Sequence, residues 1–199
     1  MEEENKGFGA FFSKNFDIIS KLFVYHIAMC VFGLVVSIAV EMIAMQFGGD
    51  SDITSLSVFT YIAAGFGALV YLGLIYVCMW EKGASDRIKI VGGRMKENKL
   101  KGLLFWLIAN SINIFIIVNV AILHFIPPAG NVHGILSIVT MFYNAMYLPE
   151  LVALSNFTWL YFVVLIPGAI MATVSYILGI KGFKCIFPEP KHERNRKLK

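Results

Sequence analysis

Polar and ionisable side chains recur along the first long apolar segment of the chain. His26, Cys30, Gly33, Ser37 and Glu41 follow one another at intervals of four, three, four and four residues, which places them on one face of an α-helix. In lipid such a face costs free energy, so it should point into a helix bundle or a wet cavity. The two ionisable groups could then carry a proton, an ion or a small solute. Alternatively, they reach the two polar edges of the bilayer, and the small residues between them only allow close packing.

Two asparagines mark a second candidate region. Asn110 and Asn113 share one helical face in a later apolar segment. A carboxamide in lipid must find a partner, and an interhelical hydrogen bond is worth about 1 kcal/mol. These residues therefore either join helices or line a substrate site. The complete candidate intramembrane polar site is His26, Ser37, Glu41, Asn110 and Asn113.

Signatures of catalysis are absent from the sequence. It contains no Gly-x-Ser-x-Gly elbow, no phosphate-binding loop and no His-Glu-x-x-His motif. His124 and His133 flank a Pro-Pro turn and could approach each other around a metal ion, but two histidines alone are weak evidence for such a site. We therefore expect no enzymatic activity, no cofactor and no bound metal.

The segments that carry these residues are long and apolar. Of the 199 residues, 58% are hydrophobic and only 15% are charged, and the mean hydropathy is +0.72, which lies outside the range of water-soluble domains. About 20 apolar residues are enough to cross the hydrocarbon core of a bilayer as a helix. The sequence therefore predicts an all-α, polytopic membrane helix bundle that forms a single domain. Its four predicted transmembrane helices cover residues 22–45, 53–80, 102–125 and 157–180.

The segment between the third and fourth predicted spans is amphipathic. Pro127 and Pro128 end the third span, because successive prolines remove backbone donors and block a helix. Over residues 131–148, polar side chains recur at spacings of four, three, four and three, from His133 to Tyr147, as on one face of a helix. This pattern predicts an amphipathic helix that lies on the outer surface or re-enters the bundle, although its length would just permit a fifth span.

The distribution of Lys and Arg predicts the orientation of the chain. All 17 basic residues lie before the first span, in a loop at 81–101 or in a tail at 181–199. Because basic segments remain in the cytoplasm, we expect both termini on the cytoplasmic side of the cell membrane. The basic loop, in which a glycine pair suggests a short strand and a tight turn, would attract anionic lipid. The residues expected to contact that lipid are Arg87, Lys89, Arg94, Lys96, Lys99 and Lys101.

Two stretches of the chain carry a family resemblance. The residues from Phe23 through Ser37, together with Trp80 through Arg87 and the Gly-Gly-Arg that follows, resemble small multi-pass membrane proteins of unknown function from Gram-positive bacteria. The resemblance implies a location in the bacterial cytoplasmic membrane. It implies no activity.

Two functions remain open at this stage. The first is a non-enzymatic subunit that packs against another membrane protein or a second copy of itself, through small-residue faces such as Gly168–Gly179 and the basic loop. The second is a small transporter or channel, with a polar path along His26, Glu41, Asn110 and Asn113. Nucleic acid is not an expected partner, because the basic loop lacks interleaved aromatic residues.

Overall fold

The computed structural model describes residues 8–46, 58–126 and 130–183. Over these residues the chain forms eight α-helices and two 3₁₀ segments, and no β-strand. The prediction of an all-α bundle is confirmed. The α-helices are α1 (Phe8–Lys14), α2 (Phe16–Gln46), α3 (Val58–Val91), α4 (Lys101–Ala109), α5 (Ser111–His124), α6 (Gly130–Tyr143), α7 (Leu148–Ala153) and α8 (Ile166–Lys181), and the 3₁₀ segments are Ala145–Tyr147 and Ser155–Leu165.

Several helices are long and apolar enough to cross a membrane. Three reach this length directly: α2 over Phe16–Ile43, α3, and the segment Ser155–Lys181 that includes α8. Two further pairs reach it only across a bend, α4 with α5 at 70° and Asn131–Tyr143 with Ala145–Ala153 at 90°. The described residues therefore hold three to five candidate spans, and the predicted number of four lies within this range.

Asn110 divides the predicted third span. Its backbone leaves the helical region at φ −97° and ψ 13°, and its side-chain Nδ2 donates to the Trp106 carbonyl at 3.1 Å. An asparagine that bonds its own preceding turn competes with the regular backbone pattern of a helix. The segment 102–125 is consequently two helices with a bend between them.

α3 continues past the predicted end of the second span at Trp80, to Val91. The short strand expected in the basic loop is therefore wrong. Charged side chains at helical spacing, such as Lys82 and Asp86 with 3.5 Å between ammonium and carboxylate, support the added turns. The helix ends at Val91, and Gly93 in the turn that follows has a φ of 68°, which suits glycine. The loop before α4 is thereby shortened to residues 92–100.

The most extensive helix contact joins α3 to α8. A Cβ added to Gly83 would collide with the Tyr176 carbonyl, and one added to Gly179 would collide with the Trp80 carbonyl. Further along the same face of α8, Gly168 lies against the Trp106 indole. The small-residue face predicted in the fourth span is thus occupied within the chain.

The segment that contains α6 enters the bundle and returns to the same end. Near the start of α6, the His133 Nε2 lies 2.9 Å from the Thr158 hydroxyl. At its end, the Tyr143 carbonyl lies 3.0 Å from the Nε2 of His26, about 15 Å along the helix from the first contact. The next turn reaches Gly33 of α2, where an added Cβ would lie 2.5 Å from the Met146 nitrogen. We call residues 131–153, whose two helices meet at 90°, the re-entrant segment for its path through the bundle, and its placement relative to a membrane stays a prediction.

The two ends of the bundle differ in character. We call the end where His124, His133 and Thr158 meet the Thr158 end. At the opposite end, α3, α4 and α8 meet around Asp86, and we call it the Asp86 end. α8 and the 3₁₀ segment before it connect the two ends.

Candidate functional site

A group of buried polar side chains lies between the two ends, where α2, α3 and both bent helix pairs meet. We call this group the polar core. Each of its side chains is less than a tenth exposed. Its members are His26, Cys30, Tyr71, Trp106, Asn110, Asn113 and Asn144.

His26 connects three elements of the polar core. Its Nε2 lies 3.0 Å from the Tyr143 carbonyl and its Nδ1 lies 3.0 Å from the Tyr71 hydroxyl. A carbonyl only accepts hydrogen bonds, so Nε2 carries the ring proton, and Nδ1 of the neutral imidazole accepts from the tyrosine. The same carbonyl accepts from the Cys30 thiol at 2.6 Å. The Tyr143 carbonyl is free to accept these bonds because α6 ends at this residue, so no backbone N–H of a following helical turn reaches it.

Asn113 and Asn144 form a reciprocal pair of carboxamides. The Nδ2 of Asn113 donates to the Oδ1 of Asn144 at 2.8 Å, and the Nδ2 of Asn144 donates to the Oδ1 of Asn113 at 2.9 Å. Asn144 also donates to the Thr140 carbonyl at 3.0 Å, in the last turn of α6. A buried amide without partners costs free energy, and here each amide supplies what the other needs. The pair therefore fastens α5 to the break that follows α6.

The two helix breaks consequently meet inside the bundle. Asn110 stands at the 70° bend between α4 and α5, one turn before Asn113, and Asn144 stands at the 90° bend after α6. Interrupted helices at membrane depth are tolerated where they are buried in protein or line a wet cavity. In many transporters such interruptions form the solute site.

Part of the polar core has unused hydrogen-bonding capacity. Among the described residues, the Trp106 Nε1 and the Asn110 Oδ1 are buried and have no hydrogen-bond partner. The Tyr71 hydroxyl faces both side chains. Each buried polar atom left unpaired costs about 1–3 kcal/mol, so interactions of these atoms with the Tyr71 hydroxyl or with a polar molecule beside them would stabilise the core.

Ser37 and Glu41 lie apart from the polar core. Ser37 is buried further along α2, and the Glu41 carboxylate accepts a hydrogen bond from the Thr60 hydroxyl in the first turn of α3. Glu41 is about 22 Å along the helix from His26. The structure thus brings His26, Asn110 and Asn113 together and leaves Glu41 near the far end of α2.

Tyr71 and Asn144 complete the polar core, although they were not among the predicted site residues. The signal for Asn144 was its place in the polar stripe of residues 131–148. Tyr71 has no distinguishing feature in the sequence, because it is one of several aromatic residues in an apolar span. Only its contact with His26 reveals its role.

A second polar cluster lies at the Asp86 end, beyond the uncharged part of α3. The fully buried Asp86 carboxylate accepts hydrogen bonds from the Lys101 ammonium at 2.7 Å and the Tyr176 hydroxyl at 2.8 Å. Burial opposes the charge of Asp86, but these two hydrogen bonds and the nearby ammonium group of Lys82 stabilise the carboxylate. The carboxylate is therefore ionised at neutral pH and joins α3, α4 and α8.

The residues predicted to contact anionic lipid differ in their surroundings. Lys101 is turned inward, with its side chain 14% exposed. Lys89 lies 3.8 Å from Asp86 but is exposed. The side chains of Arg87, Arg94, Lys96 and Lys99 are exposed. Lipid contact by the exposed residues stays a prediction.

Comparisons with known proteins assign no function to this arrangement. No protein family, no curated protein and no solved structure matches the chain. Over the described ranges there is also no group of three or more His, Cys, Asp or Glu side chains placed to hold a metal ion. The polar core has to be interpreted from its own chemistry.

Proposed function

We propose that the protein is a small membrane transporter or channel and that its solute passes through the polar core. The observation that carries the proposal is the meeting of two bent helix pairs at the Asn113–Asn144 amide pair. Simple cohesion of a bundle does not require two broken helices at one point. Interrupted helices that expose backbone and side-chain dipoles to a buried site are a recurring design of solute pathways.

The chemistry of the polar core favours an uncharged solute. Its members are amides, aromatic hydroxyl and indole groups, a thiol and an imidazole, and none is a carboxylate, an ammonium or a guanidinium. A permanent ion would lose its hydration there without meeting an opposite charge. A neutral molecule with several hydrogen-bonding groups, such as a small amide or polyol, would find both donors and acceptors.

The re-entrant segment supports an approach from the Thr158 end. Ser137, Thr140 and Asn144 follow one another along the buried face of α6 and lead from that end to the polar core. At the opposite end, the ion pairs of Asp86 with Lys82 and Lys101 hold α3 against α4. With the basic segments in the cytoplasm of the cell, the Thr158 end would face outward and the Asp86 end inward.

Solute flux into proteoliposomes tests the proposal. We expect the protein to accelerate the entry of urea, acetamide or glycerol, measured by stopped-flow light scattering, over protein-free vesicles. The double variant Asn113→Leu/Asn144→Leu removes both amides at nearly constant volume and leaves neither partner unpaired. It should remain folded and lose at least about tenfold of the flux, because the polar lining is gone.

Asn119→Leu is the matched control for this experiment. Asn119 also lies on α5, but its amide donates to the Phe115 carbonyl of its own helix and is not part of the polar core. Its replacement should leave the flux unchanged. Wild-type protein without flux for any of these solutes, or a double variant as active as wild type, would contradict the proposal.

A role as a subunit of a membrane complex stays a prediction with less support. It rests on small-residue faces and on the basic loop, and the small residues of α8 contact α3 and Trp106 within the chain. A partner protein or second copy would have to bind through other surfaces, such as the exposed basic side chains at the Asp86 end.

A further inference from the structure

Two histidines far apart in the sequence converge on one oxygen atom at the Thr158 end. The His124 Nδ1 lies 3.0 Å and the His133 Nε2 lies 2.9 Å from the Thr158 hydroxyl. The centres of the two imidazole rings are 5.8 Å apart. The three residues come from the end of α5, the beginning of α6 and the 3₁₀ segment before α8.

We propose that His124 and His133 bind a divalent transition-metal ion of the class of Zn²⁺, Ni²⁺ and Cu²⁺. This site is separate from the polar core and does not depend on the transport proposal. Its two protein ligands would be imidazole nitrogens, and the Thr158 hydroxyl or water would fill further positions.

The geometry of the two rings suits a shared ion. Both nitrogens point at the same hydroxyl, so a metal ion near that oxygen would lie within reach of both. Because the hydroxyl has one proton, one nitrogen accepts from it and the other donates its N–H, and metal binding requires the donating imidazole to adopt its other tautomer. Two imidazoles on one ion, with metal–nitrogen bonds of about 2.1 Å, have ring centres about 5 to 6.5 Å apart, and the observed 5.8 Å lies in this interval. A small movement of the rings toward each other, with rotation of the Thr158 side chain, would complete the bonds.

The ligand chemistry selects the class of ion. α5, α6 and the 3₁₀ segment Ser155–Leu165 contain no Asp, Glu, Lys or Arg. Hard cations such as Mg²⁺ and Ca²⁺ need carboxylate or carbonyl oxygens, whereas neutral imidazole suits Zn²⁺, Ni²⁺ and Cu²⁺. His124 and His133 are each partly exposed, so an ion could reach them from solution. With only two histidine ligands the ion would exchange readily.

Metal binding would connect the elements that flank the re-entrant segment. The ion would join α5 to α6 and hold both beside the 3₁₀ segment. Occupancy of the site would therefore stabilise the packing of the Thr158 end.

Cu²⁺ titration followed by electron paramagnetic resonance tests the site directly. Protein purified without a polyhistidine tag should bind one Cu²⁺ whose spectrum shows hyperfine coupling to two imidazole nitrogens. His124→Ala and His133→Ala should each weaken binding at least about tenfold, measured also with Zn²⁺ by calorimetry. His192→Ala is the control, because it removes a histidine of the tail and should change nothing.

The wild-type spectrum alone counts the imidazole nitrogens bound to the ion, so it tests the site even if a variant folds poorly. One imidazole nitrogen or none in that spectrum would overturn the site. Binding that survives both histidine variants, or that disappears with His192→Ala, would also overturn it by assigning the ion to other ligands. Since the measurement involves no flux, its result is independent of whether the protein transports a solute.

Discussion

At the scale of residues, the polar core depends on partners that satisfy one another. Asn113 and Asn144 are 0% and 1% exposed, so neither amide can turn to solvent if its partner is lost. His26 is held in one tautomer by a carbonyl on one side and a hydroxyl on the other. Such mutual satisfaction makes single truncations costly, even where the paired groups contribute little net stability.

Asn113→Ala should therefore destabilise the protein more than the larger change Asn113→Leu/Asn144→Leu. The single variant leaves the Asn144 carboxamide without its reciprocal partner, and we expect a loss of about 1–2 kcal/mol. Thermal unfolding in detergent, followed by circular dichroism, measures the difference. Asn119→Ala should lie within about 0.5 kcal/mol of wild type. Equal stability of the Asn113→Ala and Asn119→Ala variants would show that the amide pair contributes nothing.

At the scale of elements, close helix contact fixes how the bundle is assembled. α3 and α8 approach at Gly83 and Gly179, where neither backbone leaves room for a side chain. Gly73, on the same helix, faces open space, and an added Cβ would meet nothing within 4 Å. Gly83 and Gly73 of α3 therefore provide a matched pair of positions for substitution.

Gly83→Ala should lower the unfolding temperature, whereas Gly73→Ala should leave it unchanged or raise it slightly. The first adds a methyl group where the Tyr176 backbone lies, and overpacking of this kind costs about 1–3 kcal/mol. The second replaces glycine by a better helix former at an open position, a gain of up to about 1 kcal/mol. The measurement is the thermal unfolding temperature of both variants in the same detergent. A similar effect of the two substitutions would contradict the contact between α3 and α8.

Among the helices, some features could be predicted from the sequence and others could not. Hydropathy and charge located the apolar helices, and the Pro-Pro turn suggested that His124 and His133 could approach. The bends could not be predicted, because asparagine is tolerated within helices, and the bond of Asn110 to the Trp106 carbonyl and the Asn113–Asn144 pair form only in the folded chain. The extension of α3 to Val91 also escaped prediction, since it depends on Asp86 meeting Lys101 and Tyr176, both distant in sequence.

At the scale of the whole molecule, the distribution of charge predicts a single orientation. The described part of the chain places most of its basic side chains at the Asp86 end, and the Thr158 end of α5, α6 and Ser155–Leu165 has no charged residue. Moving such a basic end across a bilayer during insertion is unfavourable. The two ends are therefore expected on opposite sides of the membrane.

Reporter fusions at the C-terminus test this orientation. A fluorescent protein fused after Lys199 should mature in the cytoplasm, whereas alkaline phosphatase at the same position should be inactive. Protease added to intact cells should leave the fusion uncut. Phosphatase activity, or cleavage from outside, would reverse the predicted orientation and with it the assignment of the Thr158 end to the outer side.

The contact between Gly33 and Met146 has a consequence for how the chain is made. These residues are more than a hundred positions apart, so α2 leaves the ribosome long before the turn that will rest against it. During synthesis, the groove beside Gly33 must be shielded by lipid or by the insertion machinery until α6 arrives. The packing of residues 145–146 against Gly33 is therefore expected to be a late event of biogenesis, when this turn displaces whatever first covered α2.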